Sequence, residues 1–166
     1  MVCKCRVPVE DYPENAEWGP LFWKLLHGLA ELSGTQTNLN MKTDEIRLWI
    51  LVLTQLKPTL PCDICRTHYS DWLLEHPPEV LSKLDYSELR PWIRTYLWAL
   101  HNVINIGNDR AEFSWSDLAD TYKTINFTET WKALQPVMKK AISLNGITLL
   151  PWTRWLSYIR TLQGMY

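Results

Sequence analysis

Apolar side chains recur along this chain with the period of a helix, and strand-like alternation is scarce. From about Trp18 to Ser33, Leu21, Phe22, Leu25, Leu26, Leu29 and Leu32 form one stripe, and Gly34 ends it. A polar stretch, GTQTNLNMKT, separates this helix from a second expected at about Asp44 to Lys57, which Pro58 stops. Pro61 introduces a third helix that ends before Pro77 and Pro78. The stretch SELRPWIRTYLWALHNVINIGND predicts a longer fourth helix, with Ser87 as N-cap and Gly107 as C-cap. Its core stripe is Ile93, Leu97, Leu100 and Ile104. The pattern predicts an all-α fold: a four-helix bundle over 15–110, preceded by a mobile arm (1–14) and followed by a mostly helical, tryptophan-rich extension (111–166). Within the extension, helices are expected near 115–124 and 129–143, and the tryptophans Trp115, Trp131, Trp152 and Trp155 either extend the core, cap the bundle or build a dimer interface.

Composition narrows the function classes. The formal charge of −1 gives no electrostatic case for nucleic acid or an anionic membrane. The longest apolar run, LWILVL, is too short to span a bilayer, and the first residues lack the apolar stretch of a signal peptide. A cytoplasmic protein is therefore expected, one in which paired cysteines are more often catalytic or metal-binding than structural. Ten tryptophans are a heavy load for 166 residues: some must pack the core, but indole also stacks on flat ligands and anchors interfaces, and the content by itself chooses none of these.

Two helices carry polar and aromatic groups beside their core stripes. On the fourth, Arg94, Trp98, His101, Asn102 and Asn105 share a second side. Such a set can surround a flat polar ligand, because amides both donate and accept and imidazole stacks or hydrogen-bonds. A solvated face is the plainer alternative. On the first helix Trp23 and His27 stand at i and i+4, one above the other, on the flank of the leucine stripe.

The chemistry centres on PCDICRTHY (61–69). Cys62 and Cys65 open the third helix, where unpaired backbone N–H groups and the helix dipole favour a thiolate. Cys3 and Cys5 form a second pair, and a disulfide across one intervening residue closes a small, easily exchanged ring. Three readings compete. A thioredoxin-like motif requires a strand before the cysteines, and here a helix precedes them. A zinc-stabilised, four-cysteine interaction module draws on both pairs, although they lie far apart in sequence. A redox relay between two disulfides and a bound cofactor uses every feature above.

WGPLFWKLLH (18–27), PCDICRTHY (61–69) and LHNVIN (100–105), in this order and spacing, resemble the Erv/ALR flavin-dependent sulfhydryl oxidases, most of all those encoded by large DNA viruses. The resemblance covers about residues 18–108. It implies a four-helix bundle holding FAD at its mouth, usually as a homodimer. It implies that Trp18, Gly19, Trp23 and His27 of the first motif contact the cofactor. His101, Asn102 and Asn105 would hold its adenine-ribose end and phosphates, and His68 would lie near it. Cys65 would face the flavin and Cys62 would be attacked from outside. The implied reaction passes electrons from protein dithiols through a shuttle disulfide, assigned to Cys3 and Cys5, to Cys62–Cys65, then to FAD and O2, giving H2O2. Implied partners are thiol-bearing proteins, either viral structural proteins or a thioredoxin-like carrier, in a host cytoplasm or packaged in a virion. Where cellular members often carry a basic residue, this chain has Pro20, and Arg110 is the only near basic group after the H-N-x-x-N helix.

Overall fold

The computed structural model describes residues 11–166. Among them are seven α-helices and no strand: α1 (Asn15–Leu32), α2 (Leu39–Thr54), α3 (Asp63–Glu75), α4 (Leu89–Gly107), α5 (Leu118–Tyr122), α6 (Phe127–Ser143) and α7 (Leu149–Gln163). The all-α expectation holds. Cys3 and Cys5 lie outside the described residues.

Local chemistry sets the helix boundaries. A capping box starts α1: the backbone N–H of Glu14 donates to Glu17 Oε2 at 2.6 Å, and the Glu14 carboxylate accepts in return. At its end Gly34 takes φ +74°, and its N–H donates to Glu45 Oε1 at 2.9 Å. A side chain there would press on Arg90, so both the left-handed backbone and the space call for glycine. Helix α2 begins earlier than the polar stretch suggests. Asn38 caps it by accepting from the N–H groups of Asn40 and Met41, which turns half of the expected loop into helix.

The expected caps of α4 are also displaced. Ser87 sits inside a short 3-10 turn, Tyr86–Glu88, whose capping box uses Asp85 and Glu88. At the other end Gly107 is the last helical residue and Asn108 is the cap. Ile93, Leu97 and Leu100 are buried as expected, but Ile104 is 38% exposed, in the last turns of α4 where Val103 and Ile106 are exposed as well.

Helices α1 and α4 pack together, α6 covers α1, and α7 covers α2. One buried cluster joins Leu25, Leu29, Trp49 and Leu53 of the bundle to Trp131, Leu134, Trp152, Trp155 and Ile159 of the last two helices. Buried indoles still need a partner for N–H. Trp155 donates to the Val52 carbonyl at 3.0 Å and Trp131 to Gln163 Oε1 at 2.9 Å. Three of the four late tryptophans therefore extend the core. The fourth, Trp115, stays 42% exposed, edge-on to Trp98 and under the Arg94 guanidinium.

Candidate active site

Cys62 is the N-cap of α3, and its sulfur accepts the backbone N–H of Cys65 at 3.2 Å. The sulfur thus occupies the place of a capping oxygen, where the dipole of the helix favours negative charge. Asp63 and Arg66 pair across the first turn, and Arg66 also donates to the Leu60 carbonyl at 2.5 Å, which fixes the loop before the cysteines. Cys62 is wholly buried while Cys65 is partly exposed. A thiol arriving from outside therefore reaches Cys62 only after neighbouring groups move. Asn15 is one such neighbour, its amide nitrogen lying 3.6 Å from Cys65 Sγ and 3.9 Å from Cys62 Sγ.

The second centre lies further along α1. Trp23 stacks on His101 of α4, with ring centroids 4.1 Å apart and planes 12° apart. His27 Nε2 lies 3.3 Å from His101 Nδ1, so one proton is shared between the two rings. On its other face His27 stacks on Tyr122 at 4.5 Å. The pair is held neutral. Burial, then the proximity of His101 and Arg94, lowers the His27 pKa to about 3; burial, then Arg110, lowers that of His101 to about 4. Arg94 is itself tied down by buried Glu31, with Nε 2.7 Å from Oε1.

The polar and aromatic residues of α4 diverge. His101 joins Trp23 and His27. The Asn102 amide closes a two-way bridge to the backbone of Phe113, donating to its carbonyl at 3.0 Å and accepting its N–H at 2.7 Å. Trp98 donates to the same carbonyl at 2.8 Å. The bridge brings Phe113 parallel to His101, 6.0 Å between centroids. Asn105 is half-buried at the end of α4. On the other helices, Trp18 is buried edge-on to Phe22, open space adjoins Gly19, and His68 is exposed on α3. Tyr69, beside it, is structural: its hydroxyl donates to the Leu53 carbonyl at 2.7 Å. The sequence signals did not single out Asn15, Phe113 or Tyr122. The latter two lie in short segments without period, where no pattern marks a wall of a site.

The fit to a dinucleotide can be tested on α1 itself. Asn15, at the sulfurs, and His27, at the ring stack, are twelve residues apart, or about 18 Å along the helix at 1.5 Å per residue. A long ligand with a flat group at each end matches that span. Four buried polar atoms have no hydrogen-bond partner among the described residues: Trp72 Nε1 and the Tyr96 hydroxyl, which lie beside each other, and Trp18 Nε1 and His27 Nδ1 on α1. Orphaned polar atoms of this kind are rare in finished interiors and suit a polar guest. Among the described residues no group of three or more His, Cys, Asp or Glu side chains is placed to hold a metal ion; Cys3 and Cys5, on which the zinc alternative also draws, lie outside them.

The sequence profile of the Erv1/Alr family matches residues 20–132, a stretch that holds the helix-opening cysteine pair and all the stacked rings. This chain belongs to the Erv1/Alr family. It is 30% identical over 118 residues to an FAD-linked sulfhydryl oxidase of African swine fever virus from a Kenyan pig isolate, covering 68% of this chain and 90% of that protein. A protein of the same name from a Malawian tick isolate of that virus is 28% identical over 106 residues, covering 64% of this chain and 80% of its own length. No solved structure matches the chain significantly. The family match runs past α4 through α5 to the start of α6, the segment that supplies Phe113 and Tyr122.

Proposed function

We propose that this protein is an FAD-linked sulfhydryl oxidase that introduces disulfides into protein substrates, with the net reaction of two thiols and O2 giving a disulfide and H2O2. The observation that carries this reading is a helix-capping cysteine pair on α3, met by Asn15 at the start of α1, together with a stack of neutral aromatic rings between α1 and α4 that begins about 18 Å further along α1. Trp23, His27 and His101 would hold the adenine-ribose end of FAD, and Trp18, Gly19 and Asn105 would line its path. Cys65, the more exposed sulfur, would face the flavin. FAD supplies a two-electron acceptor for the dithiol that can be reoxidised by O2.

The residues of the chain prepare that transfer. Cys62 caps the N-terminus of α3, a position that favours negative charge on its sulfur and so suits it to leave when thiol–disulfide exchange is resolved. The imidazoles remain uncharged at neutral pH, so they stack without repelling Arg94 and Arg110.

Cys3 and Cys5 would act as the shuttle pair. Supporting this role, the Tyr12 hydroxyl donates to the Pro61 carbonyl at 2.7 Å, next to Cys62. Six residues lie between Cys5 and Tyr12, a span of seven Cα steps that reaches at most about 24 Å when extended. Substrates would be thiol-bearing proteins, with viral structural proteins or a thioredoxin-like carrier as the proposed classes, and the active form a homodimer in a host cytoplasm or virion.

Absorbance of the purified protein tests the reading. A flavin spectrum, oxygen uptake with a small dithiol, and loss of that uptake in Cys65→Ser are expected. A colourless protein that takes up no oxygen with dithiols overturns it.

A further inference from the structure

Asn15 is the first residue of α1, yet its side chain is not needed to start that helix, since Glu14 and Glu17 form the capping box. Its amide instead crosses to the opening of α3. The two sulfurs there meet different donors. Cys62 Sγ accepts the backbone N–H of Cys65 at 3.2 Å, so the helix itself supports charge on it. Cys65 Sγ lies one turn inside the helix, beyond the capping position, and the Asn15 amide reaches it at 3.6 Å from a different element of the fold. The contact from the same amide to Cys62 is longer, at 3.9 Å.

We propose that Asn15 is a positioning residue for sulfhydryl oxidation, its amide stabilising the negative charge that develops on Cys65 when the Cys62–Cys65 disulfide opens. The proposal rests on the oxidase reading and deepens it. In the step concerned a substrate or shuttle thiolate attacks Cys62 Sγ. A new S–S bond forms there, the Cys62–Cys65 bond breaks, and its electron pair leaves on Cys65 Sγ. A second thiolate of the same dithiol then attacks the mixed disulfide and Cys62 departs as thiolate. The substrate has lost two electrons and the Cys62–Cys65 pair holds them, for onward passage to O2. A leaving thiol of lower pKa departs faster, and a fixed N–H donor favours the anion over the thiol. An amide does this without a titrating charge of its own, so its effect is constant across the working pH range.

The test is Asn15→Asp in the full-length, flavin-loaded protein. Aspartate keeps the size and suits the first turn of a helix, but it replaces the donor with an acceptor. After reduction, the pH dependence of alkylation at Cys65 is followed by mass analysis of the peptide that contains it. The midpoint should rise by about one pH unit or more, a tenfold loss of thiolate at a fixed pH below it. Asn15→Ala, which removes the donor without adding charge, should raise it by a smaller amount. Turnover should shift its pH profile in the same direction in both variants. Midpoints equal to wild type in both folded variants overturn the proposal, even if thermal stability falls, because a purely structural role moves stability and not acidity. In that case a yellow wild-type protein that consumes oxygen leaves the oxidase reading standing, whereas a colourless, inactive wild-type protein removes both.

Discussion

The indole of Trp23 on α1 lies parallel to the imidazole of His101 on α4, with centroids 4.1 Å apart. The two residues are far apart in sequence, and their contact joins two family motifs into one surface. Each ring has a second aromatic neighbour, His27 for Trp23 and Phe113 for His101. Rings arranged in this way offer a flat guest faces to stack on, and aromatic pairs of this geometry are worth about 0.5–1.5 kcal/mol beyond their buried area.

Removing one ring of that stack should weaken flavin retention. Trp23→Ala is expected to lower flavin affinity by on the order of tenfold or more, about 1.4 kcal/mol per decade, while Trp23→Phe retains most of it. The ratio of flavin to protein absorbance after gel filtration measures this. Full flavin occupancy in Trp23→Ala would remove these rings from the cofactor site.

Acid should loosen the same region. An unfolded histidine takes up a proton near pH 6.5, whereas folded His27 resists protonation until about pH 3 and His101 until about pH 4. Between those limits the unfolded state binds more protons, so stability is full above pH 6.5 and falls as pH falls through the window. A fully buried imidazole contributes at most about 1.4 kcal/mol per pH unit there, and His101, more exposed, contributes less. Melting temperatures at pH 7 and pH 5 should differ less in His27→Gln than in wild type. Equal drops in both proteins would mean that His27 is not held neutral by burial.

The cysteine pairs should separate by substrate. Cys62→Ser and Cys65→Ser are expected to abolish oxygen uptake with every thiol. Cys3→Ser should spare turnover of small dithiols but reduce that of a reduced protein substrate by tenfold or more. Oxygen-electrode traces with the two substrate types make the comparison, and equal losses on both would argue against a relay through Cys3 and Cys5.

Tyr12 owes its seat to Gly146, since a Cβ at that position would overlap the Tyr12 ring. Gly146→Ala should therefore destabilise by about 1–3 kcal/mol through overpacking. In a Tyr12→Ala background the same change should cost almost nothing, a coupling that a double-mutant cycle of urea midpoints detects. Additive costs would show that the ring does not sit there in solution.

The late helices should be indispensable to the fold. Trp155 is fully buried on α7 and donates to the Val52 carbonyl of α2, so Trp155→Ala should cost about 3–5 kcal/mol. Chemical denaturation measures the loss, and a cost below about 1 kcal/mol would mean that α7 merely decorates the bundle.

What the sequence determined alone was local and periodic. The leucine stripe of α1, the opening of α3 at Cys62 and the i, i+4 pairing of Trp23 with His27 follow from 3.6-residue geometry and capping chemistry within a few residues of each other. Motif order then pointed to the oxidase family. Tertiary structure decided what depends on groups distant along the chain. It buried Trp131, Trp152 and Trp155 in the common core, left Ile104 exposed, spent the Asn102 amide on Phe113, and set Asn15 against the sulfurs. None of these could be read from periodicity, because a helical repeat says which residues share a face but not which other helix that face will meet. The pKa of His27 belongs to the same class, since burial and the nearness of Arg94 arise only once α1, α4 and α5 have packed.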